Sequence, residues 1–176
     1  MLNVMNICLL DIDGVLLPFG EGVEPYSSSS SSSLFPRRLL ANLELIVRET
    51  GAKIVISSTW RCVPEALDDI IACFEAHGGA LSKCTQSHYT QIMTTDPAKH
   101  DVRQWEIVDW IQTIAPREQL EINNWVALDD DVSVRDNRRF ASICQSHYVI
   151  TESHEGLTEE KAEEAIRILR SHGGTI

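Results

Sequence analysis

The sequence predicts an α/β fold in which a mostly parallel sheet carries helices on both faces. Two observations predict it. Short apolar runs of buried-strand length alternate along the chain with amphipathic helix patterns, the order that βαβ crossovers require. Two of those runs also end in acid, at Asp11-Ile12-Asp13-Gly14 and at Asp129-Asp130-Asp131. In an open α/β sheet the C-terminal strand edge is where the ligand crevice lies.

Each element has its own signal. Val4 to Leu10 reads as a buried first strand, and Gly14 to Pro36, with seven consecutive serines from Ser27 to Ser33, reads as a long, mobile loop. Pro36 suits the first turn of a helix whose Leu39, Leu43, Ile46 and Val47 share one face, with Gly51 as its stop. Ala52 to Ile56 is a second buried strand running into Ser57-Ser58-Thr59-Trp60, and Pro64 opens a helix bearing Leu67, Ile70, Ile71 and Phe74 that Gly78-Gly79 ends. Residues 80 to 98 show no clean period and read as extended loop with one short strand. Asp101, with Gln104 three residues on, can cap a third helix carrying Ile107, Val108, Ile111 and Ile114, which Pro116 closes. Trp125 to Leu128 is another strand; a last strand near His147 to Thr151 and a helix with Ala162, Ala165, Ile166 and Leu169 complete the pattern.

Composition narrows the function. At 176 residues and 43% hydrophobic, residues 1–176 fit one domain with a real core. A net charge of -11 disfavours an extended grip on nucleic acid, which rests on Lys and Arg displacing counterions. The local basic groups Arg37-Arg38 and Arg135/Arg138-Arg139 read as solvated helix faces, though a nucleotide or strand end stays open. Five cysteines without C-x-x-C point to a reducing cytosol, hence a cytoplasmic protein. The apolar N-terminus lacks a basic flank and cleavage site and reads as strand rather than signal, and no stretch reaches the ~20 apolar residues of a membrane span. Cys84-x-x-x-His88 and Cys144-x-x-His147 each lack a second zinc pair, so core cysteines are the better reading. Trp105 and Trp110 read as packing.

The chemistry lies at the strand ends. A parallel sheet gathers Asp11/Asp13, Ser57/Ser58 and Asp129/Asp130 at one edge despite their separation in sequence. Two carboxylates about 4 Å apart repel by ~4 kcal/mol at an effective dielectric near 20, which a divalent cation relieves. Lys99 or Arg103, at a helix start that ordinarily prefers acid, hints at a held anion.

These residues resemble the haloacid dehalogenase-like (HAD) phosphohydrolase superfamily: Asp11-Ile12-Asp13-Gly14-Val15-Leu16, a strand-end serine, a basic helix start and a later acidic pair. More narrowly, Ile56-Ser57-Ser58-Thr59-Trp60-Arg61, Arg103-x-x-Glu106-Ile107-x-x-Trp110, Leu128-Asp129-Asp130-Asp131 and Gly156-Leu157-Thr158 are similar to the HAD domain of multidomain RNA-repair proteins. The resemblance implies a Rossmann-like three-layer α/β/α sandwich with a minimal cap, because no segment between the motifs is long enough for a large one. The serine-bearing loop would then be free to act as a flap.

It also implies roles. Asp11 would be the nucleophile, forming an aspartyl-phosphate. Asp13 would protonate the leaving oxygen and later deprotonate water. Ser58, favoured over Ser57 by its distance from Trp60, and Arg103, favoured over Lys99 by the R-x-x-E-I-x-x-W pattern, would hold the phosphoryl group. Asp11, the Asp13 backbone carbonyl, Asp129 and Asp130 would bind Mg²⁺, which prefers such a hard oxygen site. The implied substrate is a phosphorylated small molecule or a phosphorylated macromolecule end. Polynucleotide end-processing and a non-catalytic phospho-accepting module are the competing readings. A receiver-type module places its acceptor Asp on a later strand, so the D-x-D-G spacing at the first strand favours hydrolysis.

Overall fold

The computed structural model describes residues 4–20, 34–85, 103–132 and 141–171. Four strands form one sheet in the order β2-β1-β3-β4: β1 (Val4–Leu10), β2 (Lys53–Ile56), β3 (Glu121–Asp129) and β4 (Tyr148–Ile150). All three pairings are parallel. The chain leaves β1 in one direction to β2 and returns past it to β3, so the sheet reverses its winding between β1 and β3. In open α/β sheets that reversal opens a crevice at the C-terminal strand ends.

Alternation along the strands divides the core in two. Cys8 and Leu10 of β1, Ile54 and Ile56 of β2, and Val126 and Leu128 of β3 face a layer built from α1 (Arg37–Thr50), α2 (Pro64–His77) and, after α3 to α5 below, α6 (Glu159–Arg170). Ile7 and Leu9, Val55, Trp125 and Ala127 face the opposite layer, built on α4, which starts at Arg103–Asp109. This is the three-layer α/β/α arrangement expected of a period-2 strand pattern buried on both sides. Each fully buried Leu or Ile contributes ~1.5–3 kcal/mol.

Three local departures from the sequence reading have physical causes. Residues 79–85 form a helix, α3 (Gly79–Thr85), where extended loop is expected. Its start is held by a long-range contact, the Ala80 N–H donating to Glu44 Oε1 at 3.0 Å, and Leu81 and Cys84 are buried one turn apart. The remainder of 80 to 98, with the expected strand, lies outside the described residues, as do Asp101, Lys99, His88 and Ser27 to Ser33.

Second, Pro116 sits within the end of α4 rather than stopping it. The helix continues through a π turn (Trp110–Ile114) into a final turn at Ala115–Arg117. A proline at 116 has no N–H to return to the Gln112 carbonyl, and the widened turn immediately before it accommodates that loss. Third, β3 is longer than its apolar run, because Glu121 to Asn124 also pair with β1 across a register shift. Asn124 is buried, and its amide donates to Ile168 O at 2.7 Å and Ser171 O at 2.9 Å, tying the end of α6 to the sheet.

A short helix α5 (Ala141–Cys144) precedes β4. No helix among the described residues is long and apolar enough to cross a membrane.

Candidate active site

Asp11 follows β1 and Asp129 ends β3, and the two strands are hydrogen-bonded neighbours to their ends: Leu10 pairs with Leu128, and the Asp11 N–H donates to Leu128 O at 3.0 Å. Adjacent parallel strands in this register leave their two terminal carboxylates side by side. Asp130, the next residue, joins them. One oxygen from each of Asp11, Asp129 and Asp130 lies within 4.8 Å of the others.

Arg103, in the first turn of α4, reaches into the same group. Its Nη1 lies 3.5 Å from Asp11 Oδ1 and 3.7 Å from Asp129 Oδ2, and it donates to the Ser57 carbonyl. Burial works against its charge, but Asp11 and Asp129 outweigh it and raise the guanidinium's already high pKa. Asp129 is 2% exposed; burial, reinforced by Asp11, pushes its carboxyl up to about 7, with Arg103 and the Asp131 N–H opposing. Asp129 Oδ1 accepts that N–H at 3.0 Å, while Oδ2 has no hydrogen bond from the described residues.

The donor set fits a divalent cation. Three carboxylates and one guanidinium carry a formal charge of minus two, every donor is a hard oxygen, and the buried Oδ2 of Asp129 has spare acceptor capacity.

Asp13 is not one of the three clustered carboxylates. Its Oδ2 accepts the indole N–H of Trp60 at 3.0 Å. Burial raises its pKa, the Trp60 bond opposes that, Asp11 and Asp130 raise it further and Arg103 lowers it. Residues 12 to 17 form a tight turn in which the Leu16 and Leu17 N–H groups both return to Ile12 O at 2.9 Å. Gly14 adopts φ +70° there, and a β-carbon on it would lie 2.2 Å from Asp130 Oδ2. Only glycine permits both the left-handed backbone and that approach.

The serines take different positions. Ser58 is buried and caps the 3₁₀ turn Thr59–Cys62, its Oγ accepting from the Trp60 N–H at 3.5 Å. Ser57 is also buried, and its Oγ has no hydrogen-bond partner among the described residues. Arg61 anchors this turn: Nη1 donates to the carbonyls of Ser57 and Ser58, and Nη2 meets Glu106 Oε2 at 2.7 Å.

Residues 7–162 match the family described as the HAD domain in Swiss Army Knife RNA repair proteins. The chain belongs to that family. No curated protein and no solved structure gives a match. The Rossmann-like sandwich is thus that of a HAD domain, and the acidic cluster lies at the end of its two central strands.

Several residues that serve this HAD domain's site carry no isolated sequence signal. Ser153 donates to Asp130 Oδ2 at 2.6 Å, and Thr151 donates to Gly14 O at 2.8 Å. Both belong to the segment after β4 and meet the site only through the fold. Gly156, in Gly156-Leu157-Thr158, has φ +74° and no room for a β-carbon, which would meet Val15 O at 2.6 Å. The next residue's N–H donates to Val15 O at 2.8 Å, so this motif supports the turn carrying Asp13. At Cys144 and His147 the zinc alternative has another explanation. Cys144 is buried, and the His147 ring stacks on Trp125 at 4.4 Å with Nδ1 2.8 Å from Trp125 O.

Proposed function

We propose that this HAD domain is a Mg²⁺-dependent phosphatase that hydrolyses a phosphate monoester through an aspartyl-phosphate on Asp11. The observation that carries the reading is the convergence of Asp11, Asp129 and Asp130 on one point, with Arg103 against two of them. Asp11, Asp129, Asp130 and the Asp13 carbonyl would hold the ion, which when bound neutralises charge on the carboxylates and the phosphoryl oxygens.

The chain's own residues supply the remaining steps. Both described polar contacts of the Asp11 carboxylate fall on Oδ1, from the Ile12 N–H at 2.7 Å and from Arg103, so Oδ2 is the oxygen offered to phosphorus. Arg103 balances phosphoryl charge, and Ser58 keeps its O–H for a phosphoryl oxygen because its cap bond uses only an acceptor site. Asp13 gives its proton to the leaving oxygen as the P–O bond breaks. It then takes a proton from the water that attacks the phospho-Asp11, releasing inorganic phosphate and restoring both acids. Monoester hydrolysis is among the slowest uncatalysed reactions, and a site must supply on the order of 20 kcal/mol, chiefly by positioning and charge neutralisation.

The family description favours a phosphorylated polynucleotide end as substrate. A net charge of -11 suits contact with an end rather than along a strand. All five cysteines are free, which supports a reducing, cytoplasmic setting.

The test is turnover of 4-nitrophenyl phosphate with Mg²⁺, with loss of activity on chelation and in Asp11→Asn, and a phosphoryl group trapped on Asp11. Stable phospho-Asp11 without turnover would instead indicate a phospho-accepting module. Comparing 5′- and 3′-phosphorylated oligonucleotides with nucleotides, sugar phosphates and phosphopeptides identifies the substrate class.

A further inference from the structure

Trp60 differs in one respect from the fully buried tryptophans Trp110 and Trp125. The indole nitrogens of Trp110 and Trp125 are buried without a hydrogen-bond partner among the described residues, whereas that of Trp60 donates to Asp13 Oδ2 at 3.0 Å. Packing alone therefore does not aim an indole N–H at a carboxylate.

Trp60 is also firmly placed. It lies in the 3₁₀ turn that Ser58 caps, and its ring packs at 6.4 Å from the ring of the buried Phe35 and against the core beneath α1. Its neighbour Arg61 fixes the turn from the other side through Glu106 and the Ser57 and Ser58 carbonyls. The indole is thus a rigid donor held by two independent sets of contacts.

An indole N–H can only donate, so the oxygen it meets must accept in both protonation states of the acid. We propose, on the reading of Asp13 as the acid of the phosphatase reaction, that Trp60 is its positioning residue, holding Oδ2 and leaving Oδ1 to exchange the proton. In the first step the Oδ1–H bond breaks and its proton passes to the leaving oxygen. The P–O bond breaks with its electron pair remaining on that oxygen, while Asp11 forms the new bond to phosphorus. In the second step Oδ1 takes a proton from water as the water oxygen bonds to phosphorus and the bond from phosphorus to Asp11 breaks, which restores the Asp11 carboxylate and releases inorganic phosphate. Without the indole the carboxyl can rotate about its bond to Cβ, and only a fraction of its orientations place a proton on the leaving group.

General acid catalysis matters most for poor leaving groups, which makes the role measurable. The experiment is kcat/KM with Mg²⁺ on a series of ring-substituted phenyl phosphates, for the wild type and Trp60→Phe, a variant that keeps an aromatic ring against Phe35. The expected result is a loss of about tenfold or more on phenyl phosphate, part of the ~10²–10⁴ available from such an acid, with under about threefold on 4-nitrophenyl phosphate. Replacing the Trp60 indole site-specifically with benzothiophene, which has sulfur in place of N–H, serves where the phenylalanine variant does not fold and should steepen the leaving-group dependence likewise. Equal losses across the series, or no loss on phenyl phosphate, would overturn the role of Trp60 while leaving the phosphatase intact. Wild-type protein inactive on the whole series would overturn the phosphatase reading itself.

Discussion

The Arg61 guanidinium meets the Glu106 carboxylate at 2.7 Å with the two side chains only 2% and 8% exposed. The pair joins the serine-bearing strand end to the helix that carries Arg103, three residues and one turn before Glu106. It thereby couples two parts of the site that come from different layers of the sandwich. The R-x-x-E spacing follows, since residues three apart share a helix face.

Removing one partner breaks a buried ion pair, and Glu106→Ala should cost about 3–5 kcal/mol in urea unfolding. Arg61→Lys keeps the charge but loses the fork that serves two carbonyls and a carboxylate together, and it too should destabilise and slow turnover. Wild-type stability in Arg61→Lys would show that charge alone suffices there.

Gly14→Ala tests how tightly the first turn is built against Asp130. A non-glycine residue at φ +70° costs about 1–2 kcal/mol, and the added carbon displaces the Asp130 carboxylate. The expected outcome is a moderate drop in melting temperature together with at least about a tenfold rise in the Mg²⁺ needed for half-maximal turnover. Loss of stability with unchanged Mg²⁺ dependence would separate the backbone effect from the site.

Ser153 should matter in a different way. It donates to Asp130 Oδ2 at 2.6 Å from a segment that contributes no ligand. Ser153→Ala is expected to weaken Mg²⁺ activation by about 10–100-fold, the usual cost of losing a group that orients a ligand. Melting in chelator should change little, so a Mg²⁺ titration of activity and a metal-free melt together isolate the orienting role.

Asp129 makes metal-free stability fall with rising pH. Its folded pKa, held up at about 7 mainly by burial, exceeds its unfolded value, so the stabilisation is complete below about pH 4 and is lost as pH climbs through about 7. Asp129→Asn should flatten that part of the profile. Because protons and the cation compete for this carboxylate, the rise in melting temperature on adding Mg²⁺ should be greater near about pH 8 than near about pH 5. Calorimetry with and without chelator measures both, and a Mg²⁺ effect independent of pH would count against Asp129 as a ligand.

The ease of reading each part from sequence followed how local its cause is. Asp11 and Asp129 were legible because strand alternation and a parallel sheet bring strand ends together whatever the loops do. The helix at Gly79–Thr85 was not, since its start depends on Glu44, contributed by α1. Ser153 and Thr151 were invisible for the same reason: an isolated hydroxyl has no periodicity, and only the finished fold gives it a partner. Trp60 stood within a recognised motif, yet nothing in the spacing of that motif pointed its indole at Asp13.

Glu44 offers a test of the part of the fold that the sequence concealed. The Ala80 N–H, the largest influence, lowers its pKa against a smaller opposing effect of burial, and His77 Nε2, 3.1 Å from Glu44 Oε2, lowers it further. A depressed folded pKa gives stability that is present above the unfolded value of about 4.3 and lost as pH falls through the lower folded one. Glu44→Ala should therefore cost about 1 kcal/mol near neutral pH, comparable to losing a helix cap, and progressively less in acid. Urea unfolding at about pH 7 and about pH 3 would show the two proteins converging; a constant difference would mean that the side chain acts through packing and not through its charge.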